Sequence, residues 1–499
     1  MYQLYKERPL IILCIIFANI ILSIWCINAD PIINNDAVTY LTIAQKLVNG
    51  HWDETFTHYS WPFYSIFIAF TAKLLSVEVT TAAYALNTLF ATLLSLAFVA
   101  IVKDLSANNT AIIIIATVVI LFFPSINKYR SFIIRDFGYL ACYLWSLYFI
   151  VRFCSTLNKQ HLLGWLIFAA LSCLFRFEGI VFLLIAPYFL LLFAATKIPH
   201  RRTILTVISV AILISCVGLI SWYLTDKYKA LMEIANTNGQ DVKSLKDLFF
   251  VNIAQNFDDE VLTFADYVSI FISNTGDVFY QILRRMSVIY FLFAIYAYFA
   301  KIGINDTLLK KIWVTYILTN LLILISFSFY NHFLVSRYTL ATSLTLLLIA
   351  PFAINALILK AKKSNNIIKA FTAFIILLLS IEAIDKLNIE NKKAYIESSG
   401  QWLSENIKPN SKIYTNDKLV AYYAAPREDS NLNDSYSYDT LIRYLDYKKI
   451  HLYDYVAYST ISSAVLDTIA SERLLKEYGE VIKTIDGYNQ KVVLIYQRR

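Results

Sequence analysis

Residues 9–27 read PLIILCIIFANIILSIWCI, and residues 34–50 read NNDAVTYLTIAQKLVNG. The first run is unbroken, apolar and about long enough to cross a bilayer. It exceeds a signal-peptide apolar region, and no small-x-small cleavage site follows it cleanly, so it reads as a retained first helix. In the second run Ala37, Val38, Leu41, Ala44, Leu47 and Val48 recur with a helical period. A turn at Asn49-Gly50 closes it. A span therefore empties into an amphipathic helix whose first turn carries Asp36. Further on, Trp61-Pro62 opens a second apolar stretch to Leu75, read as an interfacial helix. Two interfacial helices joined by an Asp- and His-bearing loop form a platform at the membrane face.

The rest of the chain agrees with this start. Of 499 residues, 58% are hydrophobic and only 16% charged, which is too apolar for a soluble fold. Long apolar runs recur at Leu10–Trp25, Tyr84–Ile101, Ile180–Ala195, Ile204–Tyr223, Trp313–Tyr330 and Tyr338–Leu357. The expected fold is a polytopic α-helical membrane protein of about eleven transmembrane helices with a C-terminal soluble α/β domain. The spans are placed at roughly 9–28, 80–101, 111–126, 137–154, 162–175, 179–196, 203–224, 278–300, 312–330, 338–358 and 367–384. Those at 111–126 and 162–175 are short for a full crossing.

Charge position sets the orientation. The formal net charge is +8. Lys and Arg concentrate in alternate loops, which puts the N-terminus inside and the C-terminal tail outside. No basic stretch is interleaved with aromatics, so nucleic acid is not an expected partner. The six cysteines have no CxxC spacing, which argues against a zinc or redox site. No Walker A, GxGxxG, HExxH or GxSxG motif occurs.

The domain reading is a transmembrane catalytic domain over 1–384 and an extracytoplasmic α/β domain over 385–499. Two outer loops interrupt the first, at 29–79 and 225–277. The second of these carries Asp258-Asp259-Glu260. In the tail, helices are expected over Ala394–Ile407 and Ala464–Tyr478. Strands are expected at Lys412–Thr415, Leu419–Tyr423, Lys449–Leu452 and Val492–Tyr496. Tyr436-Ser437-Tyr438 and Tyr453-Asp454-Tyr455 fit a sugar-stacking surface or a tyrosine-rich core.

Four constellations carry candidate chemistry, all on the outer side in this topology. Asp36 fits a helix N-cap and equally a general base that takes a proton from an acceptor hydroxyl. Arg130 and Arg135-Asp136 stand at the outer end of the fourth helix, as interfacial anchors or as a phosphate-binding and acidic group. Arg176-Phe177-Glu178-Gly179 sits between apolar runs, where charges pair or face a cavity. His332 through Arg337-Tyr338 opens the tenth helix, and Arg337 offers a planar cation suited to phosphate.

These motifs resemble those of the GT-C glycosyltransferase superfamily. The likeness is nearest to its bacterial branch of protein O-mannosyltransferases and the aminoarabinose transferase of lipid A. It runs through Asp36, Tyr40 and Ala44, the aromatic-Pro segment Tyr59 to Tyr64, Arg135-Asp136, Arg176-Phe177-Glu178-Gly179 and Arg337-Tyr338, over roughly residues 9–384. Many relatives carry Asp-Glu at the first site, and here Ala37 replaces the Glu. Relatives often place Pro soon after Arg-Tyr, and here the next is Pro351.

The resemblance implies an inverting transferase that moves a sugar from a polyprenyl-phosphate donor to a glycan, lipid or protein acceptor. It would work on the outer, periplasmic face of a bacterial inner membrane, in cell-envelope, lipopolysaccharide or protein glycosylation. Asp36 and Asp136 would be catalytic. Tyr40, His58, Arg130, Arg135, Arg176, Glu178, Arg337 and Tyr338 would bind substrate. No resident cofactor is named, and a divalent cation stays open as an alternative. Two other classes compete: a transporter or flippase of lipid-linked glycans, and a glycan polymerase or ligase. Charges gathered at one face, with no repeat symmetry, favour the enzyme over the transporter.

Overall fold

The computed structural model describes residues 8–185 except 53, 54, 56–58 and 60, and residues 206, 209 and 210. It further describes 264–387 except 305 and 332, then 393–407, 411–424, 436–438, 453–461 and 474–498 except 477. Contacts divide the chain into two units. The first holds Met1–Ser23, Asn87–Arg130 and Arg135–Leu387; the second holds Ile24–Leu86, Ser131–Ile134 and Asn388–Arg499.

Long apolar helices build the first unit. They include α1 (Pro9–Ala29), which begins in it, α4 (Val79–Leu105), which ends in it, α5 (Thr110–Leu121), α7 (Asp136–Thr156) and α8 (Lys159–Phe175). A short helix α6 (Pro124–Asn127) follows α5, and residues 179–185 are also helical. Then come α9 (Phe264–Met286), α10 (Val288–Phe299), α11 (Thr307–Asn331), α12 (Leu340–Leu347), α13 (Ala350–Lys363) and α14 (Asn366–Leu387). Leu10, Phe17 and Ile21 of α1 stay exposed, as side chains facing lipid would. Trp145 of α7 donates its indole N–H to the Leu93 carbonyl of α4 at 3.0 Å, satisfying a polar atom inside an apolar pack.

Among the described residues six helices are long and apolar enough to cross a membrane, or eight if each of two bent pairs is one span. The protein is a multi-pass membrane protein. Of the eleven expected spans, most of that at 203–224 and most of that at 179–196 lie outside the described residues. The span expected at 162–175 is the 17-residue α8. Two expected straight helices are broken instead. The 278–300 span bends by 101° between α9 and α10. The break is Ser287, whose φ of 66° is left-handed. The 338–358 span bends by 47° between α12 and α13. Pro351 stands in the first turn of α13, lacks an N–H and crowds the preceding turn, so the helix restarts there.

The second unit joins the segment between α1 and α4 to the tail. Helix α2 (Asn35–Val48) buries Ala37, Val38, Leu41, Ala44 and Leu47, the face its periodicity marked. It packs on α3 (Phe63–Leu75), where the rings of Tyr40 and Tyr64 meet edge-on at 5.0 Å. In the tail, α15 (Ala394–Asn406) and α16 (Lys418–Ala424) accompany a five-stranded sheet of order β2-β1-β3-β5-β4. Its strands are β1 (Ile413–Thr415), β2 (Tyr436–Tyr438), β3 (Tyr455–Ile461), β4 (Val481–Asp486) and β5 (Lys491–Gln497). β1 pairs parallel with β2 and β3, while β5 pairs antiparallel with β3 and β4. Tyr414, Val456, Tyr458, Leu474, Tyr478 and Tyr496 form one core, with Tyr453 packed against it.

The strand expected at Leu419–Tyr423 is helix α16. Asp417 decides this, because its carboxylate accepts the Leu419 N–H at 2.9 Å and caps a first turn. The expected strand at Lys449–Leu452 and most of the helix at Ala464–Tyr478 lie outside the described residues. The Tyr423 hydroxyl of α16 accepts the Ile33 N–H at 3.2 Å, so the tail helix meets the entry to α2.

Candidate active site

Three of the four constellations converge in the first unit. Asp136 opens α7, where the helix N-terminus favours a negative charge, and is 4% exposed. Arg176 ends α8 in extended conformation and is 5% exposed. Its Nη1 donates to Asp136 Oδ1 at 2.5 Å. Its Nη2 and Nε donate to the two oxygens of Glu178 at 2.5 and 3.3 Å, a forked pair that Lys cannot make. Arg337, in the 3₁₀ turn Ser336–Thr339, approaches Asp136 Oδ2 with Nε at 3.7 Å. The Arg176 guanidinium lies over the Tyr338 ring at 4.0 Å and within 5.7 Å of Tyr139.

Two glycines make this approach possible. A Cβ on Gly138 would stand 2.5 Å from the Phe175 ring, so α7 and α8 close only because it is absent. A Cβ on Gly179 would stand 2.5 Å from Ser172 Oγ and 2.8 Å from the Cys173 amide. That holds the Arg176–Glu178 turn against the end of α8.

The electrostatics follow from the pairing. Burial raises the Glu178 carboxyl, but the charge and hydrogen bonds of Arg176 outweigh it, and Arg135 adds to them. The net effect holds Glu178 down at about 2. Burial also works against the charge on Arg176, yet Glu178 and Asp136 push its pKa well above the usual range. Arg135, half-buried at the N-cap of α7, makes the cluster three cations against two carboxylates. A small cleft opens beside it, lined by Tyr139, Arg176, Glu178, Asn320, Phe327 and Tyr338 among others. A net-positive group at a mostly apolar cleft with few polar side chains is suited to an anion attached to a hydrophobic body.

Asp36 belongs to the second unit. It lies half-buried in the first turn of α2. One turn along, Thr39 accepts a hydrogen bond from Lys418 Nζ of α16 at 2.5 Å. Burial lowers the Lys418 pKa, and the Asp36 carboxylate pulls it back up. Tyr40 is buried between Tyr59 and Tyr64, with ring centroids at 6.0 and 5.0 Å. The Asn34 side chain does not cap α2. Its Oδ1 accepts the Ile133 N–H at 2.8 Å and its Nδ2 donates to the Ile133 carbonyl at 3.3 Å, pinning the 131–134 loop.

Arg130 points elsewhere in the first unit. It donates to Asn127 Oδ1 at 2.7 Å, Ser23 Oγ at 3.1 Å and Asn19 Oδ1 at 2.9 Å, locking the 124–130 segment to α1. His58, His332 and the 258–260 acidic run lie outside the described residues. No group of three or more His, Cys, Asp or Glu able to hold a metal ion occurs among the described residues. The carboxylates of Asp136 and Glu178 both already face Arg176, so this cluster does not fit a divalent cation.

Sequence reasoning missed Lys418, Tyr139 and Asn320. Asn416-Asp417 is a helix-cap signal that would have placed Lys418 in a first turn. Asn320 is a buried amide inside an apolar span, where a polar group is costly and therefore informative. It donates to the Tyr143 hydroxyl at 2.8 Å.

No protein-family model matches the sequence, and no curated protein matches it. Among solved structures the chain is similar to ArnT from Cupriavidus metallidurans in the apo state, with a TM-score of 0.52 and 11% identity. The alignment covers 97% of each chain. The likeness to this structure is one of overall fold. A second similar structure is the Archaeoglobus fulgidus oligosaccharyltransferase tethered to an acceptor peptide, at TM-score 0.45 and 12% identity. That alignment covers 84% of this chain and 63% of the other. At 11% identity the likeness to the first of these structures establishes a similar fold and nothing finer. In this chain the Arg176 cluster stands where two of its helices, α7 and α8, are held together by Gly138.

Proposed function

We propose that this protein is an inverting glycosyltransferase that uses a polyprenyl-phosphate sugar. The observation that carries the reading is the buried Arg176, fixed by Asp136 and Glu178 and flanked by Arg337 at a largely apolar cleft. In glycosyl transfer the anomeric carbon becomes oxocarbenium-like, and here charge would grow on the leaving lipid phosphate. Guanidinium groups already fixed in a water-poor site stabilise that charge without reorganising. Arg176 and Arg337 are assigned this role, with Arg135 adding positive potential. Asp136 orients both guanidiniums. Asp36 takes the proton of the acceptor hydroxyl as that oxygen attacks the anomeric carbon and the phosphate departs. Tyr338 and Tyr139 offer ring faces beside the cation. The acceptor is a glycan, lipid or protein hydroxyl, and the setting is the outer face of a bacterial inner membrane.

Reconstituted protein given a polyprenyl-phosphate sugar and an envelope extract as acceptor should transfer label. Asp36→Asn should abolish transfer with the membrane-embedded fold retained. Normal transfer by Asp36→Asn would sink the base assignment. A Gln401→Cys variant should react with an impermeant thiol reagent in intact cells, and protection would overturn the outer placement. The two broken helix pairs are a feature shared with transporters. Movement of a lipid-linked glycan across vesicles without transfer would favour that alternative.

A further inference from the structure

A second basic cluster lies outside the residues assigned to the reaction. Lys128 follows α6, Arg284 and Arg285 form the last turn of α9, and Lys386 stands in the last turn of α14. Their elements are tied together. Ser125 donates to the Arg285 carbonyl, and Ser287 donates to Glu382 of α14 at 2.6 Å. Lys128 and Arg285 share one ring, each 5.6 Å from the centroid of Tyr129. Arg285 is 8% exposed. Its Nη2 donates to Ser336, while its Nε is buried with no hydrogen-bond partner among the described residues.

A helix C-terminus attracts cations, which accounts for Arg284 and Arg285. It does not account for Lys128 or Lys386 converging on them. Of the carboxylates on the neighbouring turn of α14, Glu382 accepts from Ser287 and Asp385 pairs with Lys386. Among the described residues four cations thus meet two carboxylates. Burial, then Arg285, Arg284 and Lys386, pushes the Lys128 ammonium down to about 8, so the group feels its like-charged neighbours. A buried guanidinium N–H and a surplus of positive charge call for an anion with several acceptor oxygens.

The surroundings say what that anion is attached to. The chain turns by 101° at Ser287, and the exposed Val288 and Leu292 follow. Ile381 and Ile384 lead up to Lys386, and Phe122 stands on the turn before α6, all exposed. Exposed apolar side chains thus lie within a few residues of the charged ones on three elements, as a group at the edge of the hydrocarbon layer would have. We infer that Lys128, Arg284, Arg285 and Lys386 form a site for the phosphate headgroup of an anionic bilayer lipid. The inference does not depend on the transfer reaction, because none of these four residues is assigned to it.

The test is native mass spectrometry of the full-length protein titrated with phosphatidylglycerol in a phosphatidylcholine background. One tightly held phosphatidylglycerol is expected. Lys128→Gln and Arg284→Gln should each weaken it about fivefold, and the double variant about 25-fold, the worth of one and two headgroup cations. These side chains are half-buried and exposed, so the variants fold even where Arg285→Gln does not. Lys360→Gln/Lys362→Gln, on exposed positions of α13, should leave binding unchanged. Unaltered phosphatidylglycerol binding by the double variant overturns the site. Displacement by inorganic phosphate as readily as by lipid overturns the lipid assignment. Displacement by polyprenyl phosphate at far lower concentration overturns the bilayer-lipid assignment in favour of a carrier lipid.

Discussion

Arg176→Gln is the substitution that tests the cluster most directly. The guanidinium holds Asp136 at 2.5 Å and forks onto Glu178 at 2.5 and 3.3 Å. The Asp136 side chain is 6% exposed and that of Glu178 24%. Gln leaves both carboxylates in a poorly hydrated place. Removing one partner of a buried ion pair costs about 3–5 kcal/mol, because the remaining charge is uncompensated. Arg337 stays near Asp136 at 3.7 Å, which argues for the lower half of that range. An exposed pair would contribute about 0–1 kcal/mol, so the two cases separate clearly.

The pH dependence supplies a second readout. In the wild type Glu178 titrates near 2 against an ordinary 4.5. Its folded pKa is depressed, so its contribution is fully present above 4.5 and is lost as pH falls through 2. Without Arg176 burial is opposed only by a backbone hydrogen bond and Arg135, so Glu178 protonates at a higher pH than in the wild type. The variant's deficit should therefore be greatest at neutral pH and shrink as the solution is acidified. Arg176→Lys keeps a charge and loses the fork, and should fall between. The measurement is denaturant unfolding of purified protein in one detergent at several pH values. A deficit below about 1 kcal/mol, or one independent of pH, would refute the buried-cluster reasoning.

Three further outcomes follow from particular contacts. Arg337→Gln removes one longer contact from a side chain 18% exposed, and should cost about 1 kcal/mol of stability while reducing transfer far more. A proportionate fall in both would assign Arg337 to the fold. Asn34→Ala deletes both hydrogen bonds to Ile133 and leaves that backbone buried, costing about 1–3 kcal/mol in a thermal melt of the same protein. Gly138→Ala places a methyl into the Phe175 ring, and the overpacking should cost about 1–3 kcal/mol despite the better helix propensity. An unchanged melting temperature for Gly138→Ala would mean that α7 and α8 are not in close contact there.

The amino-acid pattern determined a good deal. Apolar runs located helices α1, α4, α7, α11 and α14 to within a few residues, because a bilayer admits few alternatives to a continuous helix. Periodicity in α2 named its buried face. It did not reveal the break at Ser287, since nothing local forbids a serine in a helix. It also misread 419–423 as a strand, because the apolar pattern outweighed a cap at Asp417. Arg176 and Glu178 were visible as costly charges in an apolar stretch, but sequence spacing left their partner open.

Only tertiary structure decided that Asp136, 40 residues earlier, is that partner, and that Arg337 joins them from a distant turn. It likewise turned Arg130 onto Asn19 and Ser23, placed Lys418 beside Thr39 and gathered Lys128 with Arg284 and Arg285. The physical reason is one of range. Hydrophobic periodicity is a local property written every few residues. Charge pairing between distant segments depends on how close two helices come, and here that is set by the missing Cβ of Gly138.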